Sequence, residues 1–357
     1  MVREADPMTN AASNPTPSPP AKSAWKRRLI FWPLYSLYLF VLCWMGLKAY
    51  WYFTFDVPIT RSVEPDDVWR NYYPELWHTR VIQDHQTADD GDFDVLLLGG
   101  SVLEQTAPEL ERELKRFYGE KLRLYNVSKS AHTTRDSYHK WKRLGEKQFD
   151  LVVIYHGIND IRMNCCPDGE FRDDYTHCAW YASFERRIQA KSLMIQGVGL
   201  DRSASKIGLG APDEPLLDAG NTIKTTKAFR SNLNAIIQAA NVKHTPVLLM
   251  TFASYLPENY SRAAFEAGEL DYGKGQHQLA AELWGHPRNV RKTLAAHNAV
   301  IRQLARENPQ VVFIDQAKQM SQTGRHFSDP CHLTEKGIEA FVANMMPVIK
   351  QHFENSK

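Results

Sequence analysis

Five short apolar runs constrain the fold more than any other feature of the 357-residue chain. Each run is too short for a typical helix, and none alternates with polar residues. Continuous apolar runs of this length are typical of strands buried on both faces of a parallel sheet. The runs lie at residues 93–100, 121–127, 150–157, 246–253 and 311–315.

Segments with a 3.6-residue apolar period lie between these runs, as at residues 224–242 and 289–308. Such a period is typical of helices that bury one face. Alternation of buried strands with helices predicts an α/β fold, a three-layer sandwich around a central, mostly five-stranded parallel sheet. Residues 160–223 show no clean period and are too long for an ordinary connection, so we expect a functional insertion or cap there.

An uncharged stretch at residues 29–47 precedes the predicted strands. At about 1.5 Å per residue, a helix of this length reaches roughly 28 Å, close to the thickness of a bilayer core. The aromatic run 50–55 follows it, and basic residues precede it, namely Lys22, Lys26, Arg27 and Arg28. Aromatic rings are enriched at the lipid–water boundary, and basic flanks stay in the cytoplasm. We therefore predict a single-pass membrane protein with a cytoplasmic N-terminus and a periplasmic or extracellular catalytic domain.

A cleaved signal peptide is the alternative to an anchor. It is disfavoured because residues 47–53 lack a small-x-small cleavage site and the apolar run is long. The predicted organisation is a disordered cytoplasmic tail at 1–25, a transmembrane signal anchor at 26–55, a membrane-proximal segment at 56–92 and the α/β domain at 93–357.

The overall charge argues against one class of partner. The formal net charge is +2, which disfavours a nucleic acid or another polyanion as partner. The sequence also contains neither a dinucleotide-binding glycine fingerprint nor a phosphate-binding loop. We expect no metal and no organic cofactor, and the sequence leaves the oligomeric state open.

Three predicted strand ends or loops carry a nucleophile and its partners. Ser101 follows the first apolar run through two glycines, Asn159 follows the third, and Asp329 and His332 share the loop before the last predicted helix. A parallel sheet brings such loops to one rim. A serine hydroxyl becomes a nucleophile when an imidazole takes its proton and an acid holds the other ring nitrogen. The backbone N–H of Ser101 and the amide of Asn159 can stabilise the oxyanion.

The motifs GGS at 99–101, GIND at 157–160 and DPCH at 329–332 resemble the SGNH, or GDSL-type, hydrolase family. The resemblance covers roughly residues 93–353 and suggests a membrane-anchored bacterial member. It implies a flavodoxin-like fold with Ser101 as nucleophile, His332 as base and Asp329 as orienting acid. It also implies an oxyanion hole formed by Ser101, Asn159 and, where the family has a donor glycine, Ala131.

Gly100 departs from the family pattern, which has an aspartate before the serine. We expect this change to affect local support more than chemistry. At Ala131 a backbone N–H survives the change from glycine, and only the backbone conformation is in question.

The expected function is a membrane-tethered serine esterase that acts on acyl esters, carried by a small molecule, a carbohydrate or the cell envelope, through an acyl-enzyme. One alternative is an O-acyltransferase on envelope polysaccharide, because a sugar hydroxyl can take the acyl group if water is excluded. Others are a lipid esterase and a non-catalytic glycan-binding or assembly protein that retains the fold.

The cysteines suggest a further link between loops. Cys43 lies in the predicted anchor, and Cys331 lies between Asp329 and His332. In an exported domain, a disulfide from Cys331 to Cys165 or Cys166 can tie the insertion to the catalytic loop, with Cys178 in the remaining pair. The alternative is a metal cluster of Cys165, Cys166, His177 and Cys178, which vicinal cysteines disfavour.

Several other side chains near the motifs have two interpretations. His132 and His156 are expected to be neighbours of the site, not catalysts. Arg162 can meet a polar substrate group, although a surface ion pair is the favoured role. Trp180 and Tyr181 can stack on sugar rings or pack within the insertion.

Overall fold

The structure, a computed structural model, describes residues 22–84, 86, 91–189 and 210–354. The five predicted strands form one sheet in which every pairing is parallel, in the order β2-β1-β3-β4-β5. The predicted α/β fold with a five-stranded parallel sheet is therefore confirmed. The strands are β1 (Phe93–Gly99), β2 (Leu122–Asn126), β3 (Leu151–Tyr155), β4 (Val247–Met250) and β5 (Val311–Ile314).

The strand order explains where polar loops meet. In β1, Val95 pairs with Leu124 of β2 on one side and with Leu151 of β3 on the other. The chain thus places its second strand on one side of β1 and its later strands on the other. In open parallel sheets, the crevice at the carboxyl ends of the strands beside such a reversal is the usual ligand site.

Helices cover both faces of the sheet, as a fully buried parallel sheet requires. The described helices are α1 (Lys22–Phe55), α2 (Pro65–Tyr72), α3 (Glu75–His78), α4 (Ser101–Tyr118), α5 (Thr134–Leu144), α6 (Ile158–Ile161), α7 (Ala179–Gln189), α8 (Glu214–Ala219), α9 (Thr226–Val242), α10 (Arg262–Glu266), α11 (Pro287–Glu307), α12 (Gln316–Gln319) and α13 (Glu335–Glu354). Short 3-10 turns lie at Gly119–Lys121, Arg162–Asn164 and Ala281–Leu283.

Strand β1 divides the core into two clusters because its successive side chains point to opposite faces. Leu97 belongs to the cluster that includes Leu110 of α4 and Phe341 of α13. Leu98 belongs to the cluster that includes Trp141 of α5 and Leu233 of α9. The sheet is therefore the middle layer of three.

The end of the predicted anchor and the membrane-proximal segment are both part of this second cluster. Trp51 and Phe55 at the end of α1 are buried there, together with Val68 of α2 and Leu76 of α3. Burial of each such side chain is worth about 1.5–3 kcal/mol. The segment therefore packs as a component of the domain and is not a detached stalk.

Helix α1 continues outward from this packed end. Its apolar side chains between residues 29 and 45 are exposed. By length and composition, the part Arg28–Phe55 is able to cross a membrane, with a mean hydropathy of 1.7 in its most apolar window. The predicted tail at 1–25 lies mostly outside the described residues, and its last four residues already belong to α1.

The predicted insertion at 160–223 contains short helices, which explains its lack of a long apolar period. Helices α7 and α8 lie within it, and residues 190–209 fall outside the described part. Met163, Tyr175 and Tyr181 form a small apolar cluster of its own.

Candidate active site

Ser101 lies where β1 passes directly into α4. Gly100 is the residue before the helix, and Ser101 is its first residue, so the Ser101 N–H has no acceptor within the helix. A Cβ on Gly100 would lie 2.7 Å from Asn159 Nδ2 and 3.3 Å from the His132 carbonyl oxygen. The departure from the family aspartate is therefore tied to the close approach of Asn159, because a side chain here collides with its amide.

A continuous chain of hydrogen bonds joins the serine to a buried acid. Ser101 Oγ lies 2.8 Å from His332 Nε2. His332 Nδ1 lies 2.7 Å from Asp329 Oδ2. The three side chains are almost fully buried, so solvent screens these contacts little. The structure thus brings together residues that are 231 positions apart in the sequence.

Asp329 is held as an acceptor at both of its oxygens. Oδ1 accepts hydrogen bonds from the backbone N–H groups of Cys331, at 2.9 Å, and His332, at 2.8 Å. Oδ2 accepts one from the N–H of Leu279 at 2.9 Å, besides the bond from His332 Nδ1. An ionised carboxylate only accepts hydrogen bonds. The neutral imidazole of His332 therefore carries its proton on Nδ1 and presents a bare Nε2 to Ser101.

The amide of Asn159 has a fixed orientation. Its Nδ2 donates to the His132 carbonyl oxygen at 2.9 Å, and its Oδ1 accepts from Trp284 Nε1 at 3.1 Å. Because an amide nitrogen carries two hydrogens, one hydrogen remains after the bond to His132. The close approach of Nδ2 to Gly100 places this group beside the start of α4.

Ala131 adopts the backbone conformation that the sequence left in question. Its φ is +67°, in the left-handed region that favours glycine. Among the residues that the structure describes, its N–H has no hydrogen-bond acceptor, whereas its carbonyl oxygen accepts from Arg162 Nη2 at 3.4 Å. Arg162 is 1% exposed, so the prediction of a surface ion pair is wrong. The chain buries this cation directly behind the Ala131 peptide.

His132 and His156 lie near the serine without contacting it. His132 Nδ1 lies 2.7 Å from Lys140 Nζ, and His156 Nε2 lies 2.7 Å from Ser137 Oγ. Burial lowers the pKa of each imidazole to about 3, so both are neutral at neutral pH. His156 also lines a cavity of about 10 Å³ together with Ser101.

The predicted disulfide between the catalytic loop and the insertion is not found. Cys331 is a buried thiol whose Sγ lies 3.5 Å from His332 Nδ1, and Cys165 Sγ lies 3.7 Å from the Trp284 carbonyl oxygen. All five cysteines carry free thiols, namely Cys43, Cys165, Cys166, Cys178 and Cys331. The Cys331 and Cys165 side chains therefore point into different parts of the core.

The alternative metal cluster also lacks available ligand atoms. His177 Nδ1 accepts from the Arg172 N–H at 3.1 Å, and its Nε2 lies 3.0 Å from the Met163 carbonyl oxygen. Burial raises the pKa of Cys165 and Cys166 to about 11. Because thiolates, not thiols, bind metals, this group is structural. Asp329, Cys331 and His332 have ligand atoms within 4.8 Å of one another, but both nitrogens of His332 are already engaged.

Trp180 and Tyr181 pack within the protein, in agreement with the second interpretation of these residues. Tyr181 is fully buried and donates its hydroxyl to Asp136 Oδ2 at 2.6 Å. Trp180 Nε1 donates to Asp136 Oδ1 at 3.2 Å. The Trp180 ring also lies against the rings of Tyr72 and His132.

The three sequence motifs did not predict the contacts that Gln105 and His277 make at the site. Gln105 lies one turn after Ser101 and bonds both the C=O and the N–H of Leu333, at 2.8 and 3.1 Å. The His277 ring packs 4.5 Å from the His332 ring. Only the spacing of four residues between Ser101 and Gln105, which puts both on one helix face, could have indicated the first contact.

A family model described as "GDSL-like Lipase/Acylhydrolase family" matches residues 97–340, about two thirds of the chain. The chain belongs to this GDSL-like family. The protein is accordingly an ester-hydrolysing enzyme of the acylhydrolase class. The matched range begins within β1, so the packed segment that precedes β1 lies outside the residues that the family model matches.

Comparison with solved structures finds proteins that are distantly similar to this chain. A GDSL-like lipase from Bacteroides thetaiotaomicron VPI-5482 is 15% identical, with 81% of this chain and 100% of that chain covered and a TM-score of 0.44. An acetyl xylan esterase from Geobacillus stearothermophilus is 14% identical, with 72% and 96% covered and a TM-score of 0.40. Likenesses of this size say nothing about the substrate. A search of the curated proteins gives no match.

Proposed function

We propose that the protein is a membrane-tethered serine esterase with Ser101 as nucleophile, His332 as general base and Asp329 as orienting acid. One observation carries the proposal: the unbroken relay of 2.8 Å from Ser101 Oγ to His332 Nε2 and 2.7 Å from His332 Nδ1 to Asp329. These distances are within reach for proton transfer.

The reaction proceeds through an acyl-enzyme. Ser101 Oγ forms a bond to the ester carbonyl carbon while its proton passes to His332 Nε2. The bond from that carbon to the alcohol oxygen then breaks, and His332 returns the proton to the leaving alcohol. In the second half of the reaction, water gives a proton to His332 and attacks the acyl carbon. The bond from that carbon to Ser101 Oγ breaks, His332 returns the proton to Ser101, and the carboxylic acid leaves.

Three donors stabilise the oxyanion of the tetrahedral intermediate: the N–H groups of Ser101 and Ala131 and the Nδ2–H of Asn159. The first belongs to the first turn of an 18-residue helix, where the helix dipole favours negative charge. The Ala131 N–H has no other described acceptor, and Asn159 has one hydrogen to spare. Donors fixed before the reaction need no reorganisation when charge develops.

The substrate is an acyl ester of a carbohydrate or of another cell-envelope component, presented outside the cytoplasm. This assignment rests on the exposed apolar part of α1, which has the length and composition of a membrane span. The packing of Trp51 and Phe55 into the domain holds the enzyme close to the membrane surface. Recovery of the full chain in the membrane fraction after a carbonate wash, with the domain accessible to protease only from outside, tests the topology.

The catalytic test uses a short acyl ester, 4-nitrophenyl acetate, and a fluorophosphonate probe that labels activated serines. Ser101→Ala is expected to abolish turnover and labelling while the unfolding temperature stays within a few degrees. Ser231→Ala, which alters an exposed serine on α9, serves as the matched control. Turnover retained by Ser101→Ala refutes the assignment of the nucleophile.

A further inference from the structure

A buried lysine lies behind the loop that carries one proposed oxyanion donor, the Ala131 N–H, and orients another, the amide of Asn159. Lys140 of α5 is 0% exposed. Its Nζ lies 2.5 Å from the Val127 carbonyl oxygen and 2.7 Å from His132 Nδ1. These two contacts hold residues 127–132, the oxyanion loop, near both ends of the loop. A buried ammonium is costly unless it is paired with an opposite charge.

The paired charge comes from outside the domain that the family model matches. Glu75 of α3 places Oε1 2.7 Å from Lys140 Nζ, and its side chain is 8% exposed. Its Oε1 also lies 3.8 Å from His132 Nδ1. Glu75 precedes the matched range of residues 97–340 by more than 20 positions. The membrane-proximal segment thus supplies the negative charge that pairs with the buried lysine.

The loop passes this restraint on to the proposed oxyanion donors. The His132 carbonyl oxygen accepts the hydrogen bond that fixes the amide of Asn159, at 2.9 Å. Ala131 is the adjoining residue and is held at a φ of +67°. A shift of the His132 peptide therefore moves both donors at once.

The same segment holds the loop at a second point. Tyr73 donates its hydroxyl to Asp136 Oδ1 at 3.1 Å. Asp136 in turn accepts from the N–H of Thr133 at 2.7 Å. The first contact joins Tyr73, just before α3, to Asp136 of α5. The second joins Asp136 to Thr133, the residue that directly follows the oxyanion loop.

We propose that Glu75 is a positioning residue: through Lys140 and His132, the membrane-proximal segment sets the geometry of the oxyanion hole. This inference rests on the proposed function of Ser101, Ala131 and Asn159. Glu75 touches neither substrate nor nucleophile, and it acts only by keeping the Lys140 ammonium charged and directed at the loop.

The physical reason is the charge on the lysine. Its Nζ donates to the Val127 carbonyl oxygen and to His132 Nδ1, and hydrogen bonds from a charged donor are stronger than those from a neutral one. Glu75 Oε1, which lies 2.7 Å away, supplies the compensating negative charge. Burial lowers the pKa of Lys140, and Glu75 opposes that shift. Without the carboxylate, the lysine loses its proton more readily. The neutral amine then donates weaker hydrogen bonds to the Val127 carbonyl and His132 Nδ1, so it holds the loop less firmly.

The experiment measures kcat and KM for 4-nitrophenyl acetate in the full chain, per active site titrated with fluorophosphonate. Glu75→Gln is expected to lower kcat by about 10- to 100-fold, less than the roughly 10²- to 10³-fold loss found when one oxyanion donor is removed, because here the donors are displaced and not deleted. KM should change less than about threefold. Affinity for a boronic acid that mimics the tetrahedral intermediate should fall in parallel.

Asp67→Asn is the matched control, because Asp67 lies in the same segment and is also buried. It pairs with Arg61 at 2.6 Å and does not contact the oxyanion loop. We expect a lower unfolding temperature but an unchanged kcat per titrated site. If Glu75→Gln alone fails to fold, the pair Glu75→Gln with Lys140→Met removes both buried charges and should restore folding while kcat stays low.

The outcomes are separable. A kcat per titrated site within twofold of wild type, in Glu75→Gln or in the double variant, overturns the positioning role and leaves the esterase assignment intact. Absence of turnover and labelling in the wild type instead overturns the esterase assignment itself.

Discussion

Replacing Asp329 by asparagine tests the relay more sharply than removing any side chain, because the shape of the site is kept. In the protein, both oxygens of Asp329 accept: Oδ1 from two backbone N–H groups, those of Cys331 and His332, and Oδ2 from Leu279 N–H and His332 Nδ1. The substituted amide has only one acceptor oxygen. Whichever way this amide turns, its NH2 group faces donors that the carboxylate had satisfied.

The energetic cost decides the orientation. With the NH2 in the place of Oδ1, the N–H groups of Cys331 and His332 both lose their acceptor. With the NH2 in the place of Oδ2, only the Leu279 N–H loses its acceptor, since the imidazole can change its tautomer. Each unsatisfied buried N–H costs about 1–3 kcal/mol, so the second orientation costs about half as much and is expected to prevail.

That orientation reverses the histidine. His332 Nδ1 becomes the acceptor and its proton moves to Nε2. The Nε2–H then faces Ser101 Oγ across the 2.8 Å contact, so Nε2 can no longer take the proton of the serine. The serine has no base. We expect kcat for 4-nitrophenyl acetate to fall by about 10³- to 10⁴-fold, the size of loss found for the equivalent change in a serine protease. The free energy of unfolding should fall by about 1–3 kcal/mol.

The assay combines steady-state kinetics with urea unfolding of each variant. Asp315→Asn is the matched control: it also removes a carboxylate, one paired with Arg302 and Thr251, and should reduce stability without reducing kcat. A folded Asp329→Asn protein that keeps kcat within tenfold of wild type contradicts the proposed role of the acid.

Three further predictions follow from particular residues. Ala131→Gly relieves a left-handed conformation that costs alanine about 1–2 kcal/mol, and this gain is partly offset by about 0.4–1 kcal/mol of added entropy in the unfolded chain. Urea unfolding should therefore show a gain in stability of about 0.5–1 kcal/mol, with kcat unchanged. A loss of stability refutes the strain argument. Burial lowers the pKa of His132 and His156 to about 3 and of His297 to about 4, so stability that is present above about pH 6.5 is lost as pH falls towards 4, by about 1.4 kcal/mol per pH unit for each of the three protons. Burial raises the pKa of Asp160 to about 7, which opposes one of these protons, so we expect a net loss of about 2–3 kcal/mol per pH unit; a flat profile of unfolding free energy between about pH 6.5 and 4.5 contradicts it. A chain that starts at residue 47 keeps the buried side chains of α1 and of the membrane-proximal segment and should fold. A chain that starts at residue 93 should not fold, because it loses roughly 7 kcal/mol or more of burial free energy, at about 1.5 kcal/mol for each of five side chains, namely Trp51, Phe55, Val68, Tyr73 and Leu76. Circular dichroism and thermal unfolding distinguish the two.

The sheet was predictable because its strands are buried on both faces, so each one had to be a short, continuous apolar run. The positions of Ser101 and Asn159 followed from the same fact, since parallel strands end at one rim. The irregular appearance of residues 160–223 also has a physical cause: α7 and α8 are short and pack around a small cluster, so no long period develops.

The orientations of individual side chains were not predictable in this way. Loop proximity suggested a disulfide from Cys331, but a disulfide also requires the Cβ atoms to lie about 3.5–4.5 Å apart and face each other, and Cys331 instead turns towards His332. Arg162 looked like a surface residue because arginine is rarely buried. Its burial behind the Ala131 carbonyl depends on how the insertion folds over the loop, which no local pattern encodes.

The contact of Glu75 with Lys140 illustrates the limit of motif-based reasoning. The motifs identify groups that touch the reacting atoms, and they lie between residues 99 and 332. The groups that hold the oxyanion loop in place need only a suitable charge at a suitable depth, and any nearby element can supply it. Here that element is α3, which also buries Leu76 against the sheet. The segment joining the apolar helix to the domain therefore has two roles that the chain cannot separate: it completes the core on one face of the sheet, and it balances the buried cation behind the site. We expect a substitution that moves Glu75 away from Lys140 to reduce catalysis even when Ser101, His332 and Asp329 are unchanged.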